Sequence, residues 1–209
     1  MRLRRHMKST LGPSLDHRMS RRTAMTRSAM WVAGALWPAC APAQVRPSRP
    51  APPEVSTELT GARLLGQGRL TFLTFSVYRA RLWVVDGFEP AQFERHPLAL
   101  ELIYERNLSG KLIAERSLDE MKRAGAVDAA LGARWLSSMT ELFPDVREGD
   151  RLTGLQRPGQ SVAFFANGRA TGELRDAEFA RRFFSIWLAP SSSAPRLREQ
   201  LLGSAPAGA

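Results

Sequence analysis

The segment from Arg69 to Val85 contains neither proline nor glycine and is dense in β-branched and aromatic side chains. Leu70, Phe72, Thr74, Ser76, Tyr78, Ala80, Leu82 and Val84 share one parity, while Leu73, Phe75 and Val77 fall on the other. Successive strand residues point to opposite faces, so both faces are partly apolar and both need cover. The segment reads as a long central strand, or as a strand pair bent near Tyr78. After the Asp86-Gly87 turn signal, Leu98 to Arg106 alternates cleanly. Leu98, Leu100, Leu102 and Tyr104 face one way and Glu101 and Glu105 the other, the pattern of a half-exposed strand.

Helical periodicity follows. Ile113, Ser117, Met121 and Ala124 form one stripe, with Gly125 as a stop, and Val127, Leu131, Trp135 and Met139 recur at i+4 until Pro144. Asp128 is placed to cap that second helix. The chain then returns to strands at 151–156, 161–166 and 169–174. Arg157-Pro158-Gly159-Gln160 and Asn167-Gly168 are their turns. Asp176 can cap a last amphipathic run carrying Phe179, Phe183, Ile186 and Trp187, and a short helix over 193–202 ends at Gly203. Strands and helices come in blocks and do not alternate, which predicts an α+β fold with an antiparallel sheet.

The formal net charge is +10 over 209 residues. Residues 1–43 contribute eight basic side chains and one acidic, so the remainder carries 22 basic and 19 acidic groups. That balance gives no reason to expect a nucleic-acid partner. Met19 to Arg27 reads as a basic n-region, Ser28 to Ala39 as a small apolar core, and Ala41-Pro42-Ala43 as a cleavage site before Gln44. Residues 1–43 are thus expected to be a signal peptide with a basic extension, exporting the protein to the periplasm by either the general or the twin-arginine route. The apolar stretch is short and interrupted by Pro38, so no permanent membrane span is expected. Cys40, the only cysteine, would leave with the signal, excluding disulfides and thiolate chemistry from the mature chain. Residues 44–53 hold four prolines and read as a linker, with a single domain over 54–205.

Few chemical signatures stand out. No phosphate-binding glycine loop is present, and after residue 43 the chain has one histidine, His96, too few for a histidine metal site. Neither cofactor nor metal is expected. Asp145, Glu148 and Asp150 form an acidic loop, either a Ca²⁺ site or, with Arg147 and Arg151, a charge-paired one. Arg69, between the glycine-rich 61–68 segment and the strongest strand, is either a cation at the mouth of the sheet or a solvated strand-end charge. Thr74, Ser76 and Tyr78 on an otherwise apolar row either line a pocket or are satisfied core hydroxyls.

Several of these segments together resemble the chalcone isomerase superfamily, and more narrowly its bacterial exported chalcone isomerase-like members. They are Gly66-Gln67-Gly68-Arg69, Phe75 to Trp83, Leu100 to Tyr104, Phe143 to Asp150, Asn167-Gly168 with Gly172-Glu173, and Phe183 to Pro190. The likeness runs from about residue 59 to 203. It implies an open-faced β-sandwich, a large antiparallel sheet packed against a layer of helices. Plant members cyclise a chalcone to a flavanone, and related non-catalytic members bind fatty acids in the cleft between sheet and helices. Both use an arginine just after the glycine-rich turn, which Arg69 matches best and Arg63 second. The tyrosine and asparagine that plant enzymes carry on the cleft helix have no match in Ser117 to Ala124.

The resemblance therefore implies a domain that binds a small apolar or acidic molecule, of fatty-acid or phenolic type, without chalcone cyclisation. Arg69 would engage an anionic group, with Thr74 and Tyr78 near the cleft. An intramolecular lyase acting on a phenolic substrate, or an envelope scaffold with no ligand, are the competing readings. The oligomeric state is not legible.

Overall fold

The computed structural model describes residues 50–203, so the expected signal peptide, Cys40 and all but the end of the proline-rich segment lie outside the described residues. Six strands form one sheet in the order β1-β2-β3-β4-β5-β6, every neighbouring pair antiparallel. They are β1 (Arg63–Phe72), β2 (Phe75–Val84), β3 (Leu98–Tyr104), β4 (Arg151–Arg157), β5 (Ser161–Ala166) and β6 (Arg169–Leu174). The helices are α1 (Pro53–Glu58), α2 (Gly110–Arg123), α3 (Ala129–Leu142), α4 (Ala177–Leu188) and α5 (Pro195–Leu201). A 3₁₀ segment spans Pro90–Arg95. This is an α+β open-faced sandwich. No described helix is long and apolar enough to cross a membrane.

The run that reads as one long strand is a hairpin. The chain reverses at Leu73-Thr74, ahead of Tyr78, and Phe72 pairs with Phe75. From Arg63 on, the glycine-rich segment before Arg69 belongs to β1 and is not a turn; only Gly61, with φ 77°, stands in one. Its glycines serve close packing: a Cβ at Gly66 would lie 2.2 Å from the Gln200 carbonyl oxygen, and one at Gly68 2.2 Å from Gln200 Oε1. These positions let α5 sit against β1 with no side chain between.

Two layers of side chains follow from the pleat. On the inner face Ala80, Leu82, Leu98, Leu100, Leu102, Tyr104, Val162 and Phe164 pack under α2 to α5. Phe179, Phe183 and Trp187 of α4 recur at i+4, and Phe183 meets Phe164 edge-on at 5.3 Å and Trp187 at 5.4 Å. On the outer face Trp83, Ala99, Leu155, Ala163 and Phe165 form a smaller cluster closed by Val55 and Leu59, beside α1. Neither α1 nor the 3₁₀ segment is marked by periodicity in the sequence, because each is too short to show any.

Helix ends are fixed as the sequence predicts. Asp128 accepts from the amides of Ala130 and Leu131. Asp176 Oδ1 accepts from those of Glu178 and Phe179, at 2.9 and 3.0 Å. Its other oxygen accepts from Trp135 Nε1 at 2.9 Å, tying α3 to the start of α4. Asn167-Gly168, with φ of 50° and 84°, makes the two-residue turn of the β5–β6 hairpin.

Candidate functional site

A cavity of about 620 Å³ lies between the inner face and the helical layer. Leu100, Leu102 and Tyr104 of β3, Leu70 of β1, Gly154 of β4 and Phe164 of β5 line its sheet side. Ile113, Arg116, Ser117 and Glu120 of α2, with Phe183, Ile186 and Trp187 of α4, line its helical side. Trp135 and Met139 are buried in the core and leave this space unfilled. A volume of this order suits a small organic molecule, and the wall is mostly hydrocarbon with polar groups gathered at one end.

That polar end consists of Tyr78, Tyr104, Arg116, Glu120 and Trp187. Trp187 Nε1 donates to the Tyr78 hydroxyl oxygen at 2.9 Å, which leaves the Tyr78 proton available. Tyr104 meets Tyr78 edge-on at 5.9 Å, and among the described residues its hydroxyl has no hydrogen-bond partner. Burial pushes both phenols well above their ordinary range. For Tyr78 the Trp187 hydrogen bond opposes that rise, the Glu120 charge adds to it and the Arg116 charge opposes it. Both therefore remain neutral O–H donors and do not serve as bases at working pH. Arg116 donates to the buried Glu120, which also lies 3.6 Å from Arg123; of the two arginines only Arg116 lines the cavity. An oxyanion or carbonyl at this end would meet two phenolic donors and the Arg116 guanidinium.

The sequence-predicted residues separate here. Tyr78 lines the cavity; Arg69, Arg63 and Thr74 do not. Arg69 pairs across the hairpin with Arg79, and directly paired residues share a face, so both lie on the outer side. There Arg69 Nη2 is 3.0 Å and Arg79 Nε 2.9 Å from the same Glu105 oxygen. Thr74 stands in the exposed hairpin turn, and Arg63 reaches Asp86 at 3.3 Å. The single-strand parity that puts Thr74 in one row with Tyr78 fails because the chain turns between them.

Sequence reasoning missed Tyr104 and Arg116 as site residues. The signals are faint but present: Tyr104 closes an apolar row of β3, and Arg116 stands beside Ser117, the one hydroxyl in the buried stripe of α2. The acidic loop is neither a ligand cage nor a set of pairs with Arg147 and Arg151. Asp145 accepts from the Gly110 amide at 2.9 Å, and Asp150 from the Arg147 amide and the Asn167 side chain. These bonds hold the Asp150 carboxyl below its usual range. Among the described residues no group of three side chains is arranged to hold a metal ion.

Comparison with known proteins places this geometry. A crystal structure of the fatty-acid binding protein AtFAP1 of Arabidopsis thaliana is similar with a TM-score of 0.55 at 15% identity, covering 69% of this chain and 88% of that one. At that identity the likeness speaks for the fold. An uncharacterized protein of Haemophilus influenzae is 32% identical over 139 residues, 66% of this chain and 67% of its own length. A family model described as chalcone isomerase-like matches residues 53–203, from α1 through the end of α5. The chain belongs to the chalcone isomerase-like family.

Proposed function

We propose that this protein is an exported binding domain that holds a monocarboxylic acid with an apolar tail, or a phenolic acid, in the cavity between sheet and helices. The observation that carries the reading is the neutral, unpartnered Tyr104 hydroxyl at the polar end of an otherwise hydrocarbon-walled space. A ligand oxygen there would gain a hydrogen bond that no described side chain makes with this hydroxyl. Arg116, paired with Glu120 in the cavity wall, supplies the guanidinium. The acidic end of the ligand would sit at Tyr78 and Tyr104, and its apolar body along Leu100, Leu102 and Phe164. The fatty-acid binding named for the Arabidopsis protein of the same fold supports the same class of ligand.

Cyclisation is not part of this proposal. The α2 residues facing the cavity are Leu112, Ile113, Arg116, Ser117 and Glu120, with neither the tyrosine nor the asparagine of the plant enzymes. The phenols present come from strands. A rate of chalcone cyclisation above that of buffer alone would overturn this point. For binding, titration of the purified protein with the fluorescent acid cis-parinaric acid should saturate. Tyr104→Phe should weaken the affinity by about fivefold and Arg116→Ala by about tenfold, the cost of a neutral and a charge-assisted hydrogen bond respectively. Absence of saturable binding would overturn the reading. Export has its own test: the periplasmic fraction of an expressing Gram-negative cell should contain a chain beginning at Gln44.

A further inference from the structure

We infer that the β1–β2 hairpin tip is a docking element for an anionic lipid bilayer, set at the mouth of the cavity. Four large hydrophobic side chains are exposed among the described residues: Phe72 (67%), Leu73 (83%), Phe75 (61%) and Leu112 (57%). They are not scattered. Three are in the tip, and Phe72 and Leu112 both line the cavity, so the patch belongs to its rim. Clustered exposed apolar side chains mark an interaction surface, and single ones do not.

The turn itself departs from ordinary hairpin chemistry. The β5–β6 hairpin uses Asn167-Gly168, residue types that accept positive φ. The β1–β2 hairpin has the same two-residue loop length but places Leu73 there, at φ 55°. A leucine in the left-handed region is disfavoured, and as the most exposed of these four side chains it recovers nothing from burial. The charge around the tip selects the occupant. Arg69 and Arg79, on the two strands of the hairpin, share Glu105, and Arg106 lies over the Phe75 ring at 5.8 Å with no acidic partner among the described residues. Each group leaves a positive surplus behind an apolar tip, the arrangement that inserts side chains below anionic headgroups while arginines meet the phosphates. Docked in this way, the cavity opens toward the acyl region, and an acid passes between bilayer and protein without crossing water. That last step rests on the proposed ligand reading; the docking does not.

The test is flotation of the full chain with vesicles of phosphatidylcholine alone and of phosphatidylcholine mixed with phosphatidylglycerol, comparing wild type with L73N/F75S. Neither substituted side chain lines the cavity, and Asn suits positive φ, so the variant should keep its thermal midpoint and its affinity for cis-parinaric acid. Expected are stronger binding of wild type to the anionic vesicles and a loss of about tenfold or more in the variant. Equal binding of the two proteins to anionic vesicles, or no binding of wild type to either composition, overturns the proposal. Loss of vesicle binding with intact acid binding supports docking. Intact docking in a protein that binds no acid leaves docking standing and removes the ligand reading alone.

Discussion

The two faces of the sheet solve the same burial problem with opposite chemistry. The inner face is covered by four helices and is almost wholly apolar, yet it leaves a cavity. The outer face lies beside one short helix, and it is laced with charge. Arg81 and Trp83 Nε1 converge on Glu101, and Arg151 joins Glu101 to Glu54 of α1, whose carboxylate also accepts from Thr153. Farther along, Arg157 bridges Glu58 of α1 to Glu173, which accepts from Ser161 as well. A single small helix cannot cover six strands with hydrocarbon, so ion pairs and hydrogen bonds fix it in place. The layer with apolar area to spare is the one that keeps an unfilled space. Charge pairing sits on one side of the sheet and the open space on the other.

The largest test of this contrast is Glu101→Ala. It leaves Arg81 buried with its main partner gone, and a broken buried pair costs about 3–5 kcal/mol in urea unfolding. A loss below about 1 kcal/mol would mean that the outer network is solvated and does not hold the face. Glu54→Ala comes next, with an expected loss of about 2–3 kcal/mol from three charge-assisted hydrogen bonds. Proteolysis should then cut near α1 while affinity for an acid in the cavity stays unchanged. On the helical side Asp176→Ala should cost about 2 kcal/mol, since it removes a cap and the Trp135 bond together.

Acid sharpens the comparison. The Ser161 hydrogen bond, with those of Arg175 and Arg157, holds the Glu173 carboxyl at about 2, from an ordinary 4.5. The folded state therefore binds this proton less readily than the unfolded chain. The stability that Glu173 contributes is complete above about pH 4.5 and is lost as pH falls toward 2. Glu173→Gln should flatten that part of the stability profile; an unaltered profile would remove Glu173 from the outer network. The smallest change in stability belongs to Tyr104→Phe, which deletes a hydroxyl that has no partner to lose. Its midpoint should stay within about 0.5 kcal/mol of wild type while acid affinity drops, so an effect confined to binding separates the two faces.

Much of this was legible in the residues. Asp128, Asp176 and Asn167-Gly168 act through neighbours two or three positions away, so helix starts and one hairpin follow directly from their chemistry. The i+4 rows of α3 and α4 and the alternation of β3 report burial on one side, and the order of these segments carries the family likeness and the α+β architecture. Other features depend on contacts that no local pattern records. Gly66 and Gly68 look like turn residues until α5 is laid against them, and α1 has meaning only through Arg151 and Arg157, about a hundred positions away.

Sequence by itself thus determined β3 to β6 and α2 to α5, the caps of α3 and α4, an antiparallel sheet and the absence of cysteine after position 40. Tertiary structure alone decided which side chains share a space. A parity row does not record where the chain reverses, so only pairing and packing fix the reversal at Leu73-Thr74 that seats Leu70 opposite Tyr78 and Arg69 opposite Arg79. That single turn puts Arg69 against Glu105 on the outer face and leaves Tyr78 and Tyr104 looking into the cavity.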